Sequence, residues 1–364
     1  MLMNSPSTLL YRSRGLSLVE LMVSLAISSV LLLGISTIYL DSKQTDTLGA
    51  ALSRIQETGR FGIDFLAKDI RMAGYQGCMD PDTLEVTIIA NNPPTTSLFQ
   101  TALRGFEVDD NTWANGTEFD NTAIETNALV GSDVIALQRA STADVQLTGN
   151  MSVFNANIQI TGNPMGFEQN DIVIIADCES ADMFRISNNP GTGAGTITVS
   201  HANNVNSDNR LSALYDESAT IMTFDSVVYF VADTGRTNAK GDAINALYRQ
   251  TDNLINNATP TFVREELIEG VDSMQILYGE RLATGNIRYV PADTVTDMQE
   301  VESVKLGLLI SSIESVQGTD DNQTYELPGE TIFPTGTAGA VVTHAVDRRL
   351  RRDFSVTINI RNRR

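Results

Sequence analysis

Two hydrophobic patterns divide the chain. From Leu16 to Leu40 the residues are almost all apolar or small, and Glu20 is the only charge in the run. A helix over that run would reach roughly 37 Å, more than a bilayer core of about 30 Å, so the pattern predicts a membrane-crossing helix. Arg12 and Arg14 precede it and no basic residue follows before Lys43, which predicts a cytoplasmic N-terminus and the bulk of the chain outside. An ordinary secretory signal carries its small-residue cleavage site after the apolar region. Here Gly15 lies before it, so a cut there would leave the apolar helix on the mature protein. A carboxylate five residues into such a helix is costly without a partner, which makes Glu20 a candidate functional residue.

From Asp41 to about Ala73 the polarity changes while the helical spacing continues, with Leu48, Leu52, Ile55, Phe61, Phe65 and Ile70 as an apolar stripe. Gly59 and Gly62 soften it, and Gly74, Gly77 and Pro81 mark its stop. Asp69 and Arg71 are about 200° apart on such a helix. Asp69 is expected on a solvated face, and Arg71 near the last carbonyls, where a cation is favoured. Residues 80–130 read as a loop-dominated insertion with one strand at Leu84–Ala90. After Gly131 the period becomes that of strands: Asp133–Arg139, Val153–Ile160, Asp171–Ala176, Met183–Ile186, Thr196–Ser200, Thr223–Ala232, Ala246–Gln250, Val271–Gly279 and Val301–Ser312. A polar loop is expected at Gln317–Gly339. Phe354, Val356, Ile358 and Ile360 then alternate with polar residues, as in a half-buried antiparallel strand.

Gly15-Leu16-Ser17-Leu18-Val19-Glu20 resembles the class III signal of type IV pilins and pseudopilins, with Leu16 in place of the usual Phe. The resemblance implies that a prepilin peptidase cuts between Gly15 and Leu16 and methylates the new amine of Leu16. It further implies that Glu20 pairs with the N-terminal amine of a neighbouring subunit, a partner that a buried charge requires. Major pilins commonly carry a proline partway along the helix; Thr37 stands there, with Gly34 nearby. The run Asp69-Ile70-Arg71-Met72-Ala73-Gly74-Tyr75-Gln76-Gly77-Cys78 resembles the helix end of the PilW group of minor pilins. Asp177-Cys178, Ala246-Leu247-Tyr248-Arg249, Gly270-Val271 to Leu277-Tyr278-Gly279, Asp347-Arg348-Arg349-Leu350-Arg351-Arg352 and Arg361-Asn362-Arg363 extend the likeness.

Composition narrows the function classes. Without residues 1–15 the chain would carry 23 basic and 45 acidic residues, too acidic to bind nucleic acid through a general electrostatic footprint. The two cysteines, Cys78 and Cys178, favour one disulfide in an exported domain over two separate buried thiols. Only His201 and His344 could serve as catalytic bases; both sit in polar, loop-like sequence and neither adjoins a nucleophile motif. Gly191–Gly195 precedes a strand and reads as a hairpin turn rather than a phosphate loop. Asp109-Asp110-Asn111 with Glu118 and Asp120, and Asp320-Asp321-Asn322, lack calcium-loop spacing and read as solvated acidic loops. No cofactor or metal is expected. Arg348, Arg349, Arg351 and Arg352 are a local basic excess. They either guard an edge strand or form a docking patch for an acidic neighbour.

The expectation is an α+β, type IV pilin-like fold. A long N-terminal helix, its first half membrane-embedded, packs on a mainly antiparallel β-sheet head with loop insertions. Residues 1–15 form a leader, 16–40 a transmembrane or filament-core segment, 41–73 an amphipathic half-helix and 74–364 the head. The resemblance implies a non-enzymatic minor pilin that primes assembly and sits in a tip complex. Its partners would be other minor pilins, the major pilin, a tip adhesin and the processing peptidase. It would lie in the inner membrane, with a periplasmic head, and later at the pilus tip. A minor pseudopilin of type II secretion and a membrane-anchored surface adhesin are the alternatives.

Overall fold

A computed structural model of the chain describes residues 17–79, 86–91, 102–108, 128–149, 151, 155–253 and 261–362. Helix α1 runs from Leu18 to Arg71 and contributes to two compact units, one ending at Ala50 and the other starting at Ala51. In the first unit, the large apolar side chains from Leu18 to Leu40 are 51–75% exposed. The helix is long and apolar enough to cross a membrane.

The second unit opens with the end of α1 and continues as strands. In chain order they are β1 (Thr87–Ile88), β2 (Leu103–Phe106), β3 (Val134–Gln146), β4 (Asn157–Thr161), β5 (Ile172–Ala176) and β6 (Ala181–Arg185). Next come β7 (Thr196–Ser200), β8 (Thr220–Thr237), β9 (Ala243–Asn253), β10 (Thr261–Glu269) and β11 (Val271–Arg281). The last are β12 (Ile287–Val290), β13 (Val301–Ser311), β14 (Tyr325–Leu327), β15 (Glu330–Pro334), β16 (Thr343–His344) and β17 (Arg351–Asn359).

One sheet of eight strands is ordered β1-β6-β5-β8-β3-β2, with β9 on β8 and β10 on β9. Its organiser is β8, long enough to pair β5 through Thr220–Thr223 and β9 through Val227–Thr237 while β3 lies along it as well. A second, fully antiparallel sheet is ordered β12-β11-β13-β17. The chain turns from β10 into β11 at Gly270, whose φ of +80° suits glycine. A Cβ there would also stand 2.6 Å from the Ser311 carbonyl oxygen.

The two sheets and the helix share one core. Ile55, Leu66, Ala67 and Ile70 of α1 meet Ile135, Leu137, Val227 and Tyr229 of the larger sheet, and Met274, Val304, Leu306 and Leu308 of the smaller. The alternating strand at the C-terminus forms as expected, with Phe354, Val356 and Ile358 turned to this core. Gly59 and Gly62, expected only to soften the helix, sit on its buried face. A Cβ at Gly59 would stand 2.4 Å from Cζ of Phe354, and one at Gly62 2.8 Å from Cδ1 of Ile268. Phe61, expected in the apolar stripe, is 55% exposed.

The expected polar loop at Gln317–Gly339 contains β14 and β15, a hairpin laid over β13, where its Leu327 and Pro328 fill the space beside Gly307. β10 was not expected either. Its sequence, Thr-Phe-Val-Arg-Glu-Glu-Leu-Ile-Glu, has four charged residues among nine because it is a sheet edge that faces solvent. Gly191–Gly195 is no hairpin turn: it links β6 to β7, which pairs with β4.

Candidate functional site: the helix start, the helix end and the C-terminal arginines

Gly15 and Leu16 lie outside the described residues. Ser17 starts the helix and forms a reciprocal cap with Glu20. The Ser17 N–H donates to Oε2 of Glu20 at 2.9 Å, and the Glu20 N–H donates to Oγ of Ser17 at 3.2 Å. This arrangement satisfies two donors that a helix start otherwise leaves open. Thr37, at the place of the pilin proline, donates to the Gly34 carbonyl at 2.8 Å, and the helix passes both residues unbroken.

At the other end of α1 the expectation of a solvated Asp69 is corrected. Asp69 is buried; the Tyr229 hydroxyl donates to its Oδ2 at 2.5 Å, and Nη2 of Arg139 lies 3.0 Å from its Oδ1. Burial, then the Asp69 charge, pushes the Tyr229 hydroxyl upward. Burial raises the neighbouring Asp225 carboxyl too, against the pull of Arg139 and Arg249. The sequence carries the signal: Asp69 follows buried Leu66 by three and precedes buried Ala73 by four, so it shares their face. The Arg71 side chain is exposed. The backbone of that residue does the anchoring, its carbonyl accepting from the Arg361 N–H at 3.0 Å.

Just beyond, Cys78 and Cys178 form the disulfide, with Cα atoms 4.9 Å apart across 100 residues. Closing a loop of that length stabilises a fold by about 4–5 kcal/mol in the chain-entropy view. Cys178 sits in the β5–β6 turn at φ +71°, beside Asp177, whose Oδ1 accepts the Glu179 and Ser180 N–H groups at 3.1 and 2.8 Å.

Two of the four arginines expected to guard an edge strand or form a docking patch are inside. Arg351 is 1% and Arg349 4% exposed. Arg351 meets Asp272 at 2.8 Å, Asp347 at 2.9 Å and Asp321 at 3.1 Å, while Arg349 meets Asp347 at 2.7 Å and Asp272 at 3.6 Å. The Tyr325 hydroxyl donates to Asp321 at 2.9 Å. Burial alone would raise the Asp347 carboxyl, but hydrogen bonds from Arg351, then Arg349, outweigh it and hold it below the usual range. This cluster ties the 313–350 excursion to the start of β11 and β17. The expectation of solvated acids at Asp320-Asp321-Asn322 is therefore corrected for Asp321, a buried counter-ion. Arg348 stays exposed, 3.1 Å from Asp320, and Arg352 is exposed. Asp109, Asp110, Asn111, Glu118 and Asp120 lie outside the described residues.

Both histidines are buried rather than loop-exposed. His344 is bonded through both ring nitrogens to the Ala345 and Gln323 carbonyls, at 2.9 and 2.8 Å. His201 packs on Phe184, ring centres 5.3 Å apart, and neither ring nitrogen has a partner among the described residues. Burial lowers its pKa to about 4. No group of three His, Cys, Asp or Glu side chains among the described residues could hold a metal ion.

An apolar helix with a carboxylate in its first turn, continuing into a helix seated on antiparallel sheets, is an α+β, type IV pilin-like fold. Residues 10–36 match the family model of the prokaryotic N-terminal methylation motif, and residues 228–362 match that of type IV pilus-assembly protein W. The chain thus carries a prepilin-like signal and a PilW region, and its helix fits anchoring in the inner membrane. That family is a structural component of the pilus. No curated protein and no solved structure matches the chain.

Proposed function

We propose that the chain is a minor pilin that primes pilus assembly and joins other minor pilins and a tip adhesin in a complex at the filament tip. A prepilin peptidase would cut between Gly15 and Leu16 and methylate Leu16. The observation that carries the reading is Glu20, the only charged residue from Leu18 to Leu40, at the head of a helix whose apolar surface is uncovered. Its Oε2 is held by Ser17, and its Oε1 makes no hydrogen bond among the described residues, which leaves an acceptor for the amine of a neighbouring subunit. In an apolar setting that pairing offsets the cost of a bare carboxylate. The head would lie in the periplasm before assembly.

The first experiment expresses the chain with and without prepilin peptidase and records the N-terminal mass. Loss of residues 1–15 with one added methyl, only when the peptidase is present, is expected. An uncleaved chain, or one cut beyond Leu40, overturns the proposal. In a deletion strain, surface pili should fall and return with the wild-type chain but not with Glu20→Ala. Normal pili with defective protein secretion would point instead to a pseudopilin.

A further inference from the structure

β17 lies at one end of its sheet and pairs only with β13. The Ser312 N–H donates to the Leu350 carbonyl, and the Ile360 N–H donates to the Glu302 carbonyl. In an antiparallel ladder alternate residues bond to the same neighbour, so 352, 354, 356 and 358 face β13. Asp353, Ser355, Thr357 and Asn359 turn their N–H and C=O groups outward, and among the described residues nothing pairs with them. All four are exposed. The opening is bounded at one end by the buried Arg351 cluster and at the other by the Arg361–Arg71 backbone bond. Between them lie about 20 Å of free strand edge.

Exposed edges are normally blunted by shortness, charge, proline or a bulge. The other edge strands of the two large sheets follow that rule. β1 has two residues, β2 and β12 four each. β10 is long, yet it exposes Arg264, Glu265 and Glu266 and carries a register break between Glu266 and Ile268. β17 keeps unbroken register over nine residues, and from Asp353 to Asn359 it has one charge and no proline. Half-buried Phe354 and Val356 leave apolar surface on the helix-facing side of that edge.

We propose that the outer edge of β17 receives an extended, acid-ended segment of another protein subunit as a fifth strand of this sheet. The inference deepens the minor-pilin reading and rests on it for where such a subunit comes from. Main-chain bonds would supply affinity, and apolar side chains on alternate positions of the incoming strand would cover Phe354 and Val356. Charge selects the partner. Arg348 and Arg352 are exposed at one end of the edge and Arg361 at the other, so acidic residues at both ends of the incoming segment are favoured. The same charges disfavour a second copy. Fully bonded antiparallel self-pairing, centred on Val356, would bring the exposed Arg352 of each copy close to Arg361 of the other, like near like at both ends.

The test uses the full chain in detergent and a fluorescent peptide as long as β17, Asp-Glu-Thr-Val-Thr-Val-Thr-Glu-Asp, followed by anisotropy. Saturable binding is expected, weakened about tenfold or more when the terminal acids are replaced by lysine. N-methylating one alternate set of peptide amides should abolish binding, and methylating the other set should spare it. Thr357→Pro, which removes an outward N–H and leaves the β13 ladder intact, should abolish binding too. Where that variant lowers the melting temperature, the methylation pair decides. No binding, equal affinity for acidic and basic peptides, or indifference to the methylation pattern overturns the proposal. Self-association that Thr357→Pro abolishes would assign the edge to a second copy and overturn it as well. Leader removal is read separately: failed binding with correct processing sinks only the strand-addition idea, and failed processing sinks the pilin reading itself.

Discussion

The two halves of α1 obey opposite rules. From Leu18 to Leu40 apolar residues occupy the whole circumference and stand exposed, whereas from Ala51 the buried set narrows to Ile55, Gly59, Gly62, Leu66, Ala67, Asp69 and Ile70. The glycines make the contrast sharpest. A Cβ at Gly34 or Gly49 would meet nothing within 4 Å, while one at Gly59 would run into the Phe354 ring. In the second half, then, glycine provides close approach between helix and sheet. The first half fills no space in the single chain, and its apolar surface calls for a lipid or helix partner.

The strongest way to break this contrast is Gly59→Leu. The side chain would have to displace Phe354 from the core shared by α1 and both sheets, and overpacking of that size costs about 3 kcal/mol or more. A large fall in the melting temperature of the full chain, partly restored by adding Phe354→Ala, is the expected result. An unchanged melting temperature would mean that α1 is not seated on β17 as described.

The same contrast explains how much was legible in the sequence. The apolar half of the helix stands out because its whole circumference is apolar, and its stop near Gly74 because glycines follow in quick order. β13 stands out for its apolar run Leu306–Ile310, and β7 for burying one face with a regular period. The Gly59, Asp69 and Arg351 environments did not, because each depends on a residue far away in sequence: Phe354, Tyr229 and Asp272 respectively. Period identifies a buried face but not its partner. A run of arginines looks the same on paper whether it faces water or three aspartates. For Asp69 the charge suggests a solvated face, but the spacing to buried Leu66 and Ala73 is what the fold obeys.

Acid sharpens the comparison at intermediate size. His201 is buried without ring partners and its pKa is lowered to about 4, against 6.5 ordinarily. The folded state therefore binds fewer protons than the unfolded one, so this residue's share of stability is intact above pH 6.5 and is lost as pH falls towards 4. By pH 5 the loss is about 2 kcal/mol. Unfolding of the full chain at pH 7 and pH 5 should show it, and His201→Phe should remove that part of the difference. The Leu18–Leu40 half carries no acid but Glu20, so its helical signal in detergent should persist over the same range. An identical pH dependence in His201→Phe would show that the ring is not the cause.

The smallest effect tests the first unit. Gly49 is exposed, outside the apolar run, with open space where a Cβ would go, so Gly49→Ala should gain only helix propensity, up to about 1 kcal/mol. Amide exchange around residue 49 in the full chain should slow by up to about fivefold, with no change in the melting of the head. Slower exchange with unaltered piliation would mean that glycine serves no contact there, in the chain or in the filament. Slower exchange with reduced piliation would mean that the open space is filled by a neighbouring subunit on assembly. The two halves of α1 would then use glycine for the same purpose, one within the chain and the other between chains.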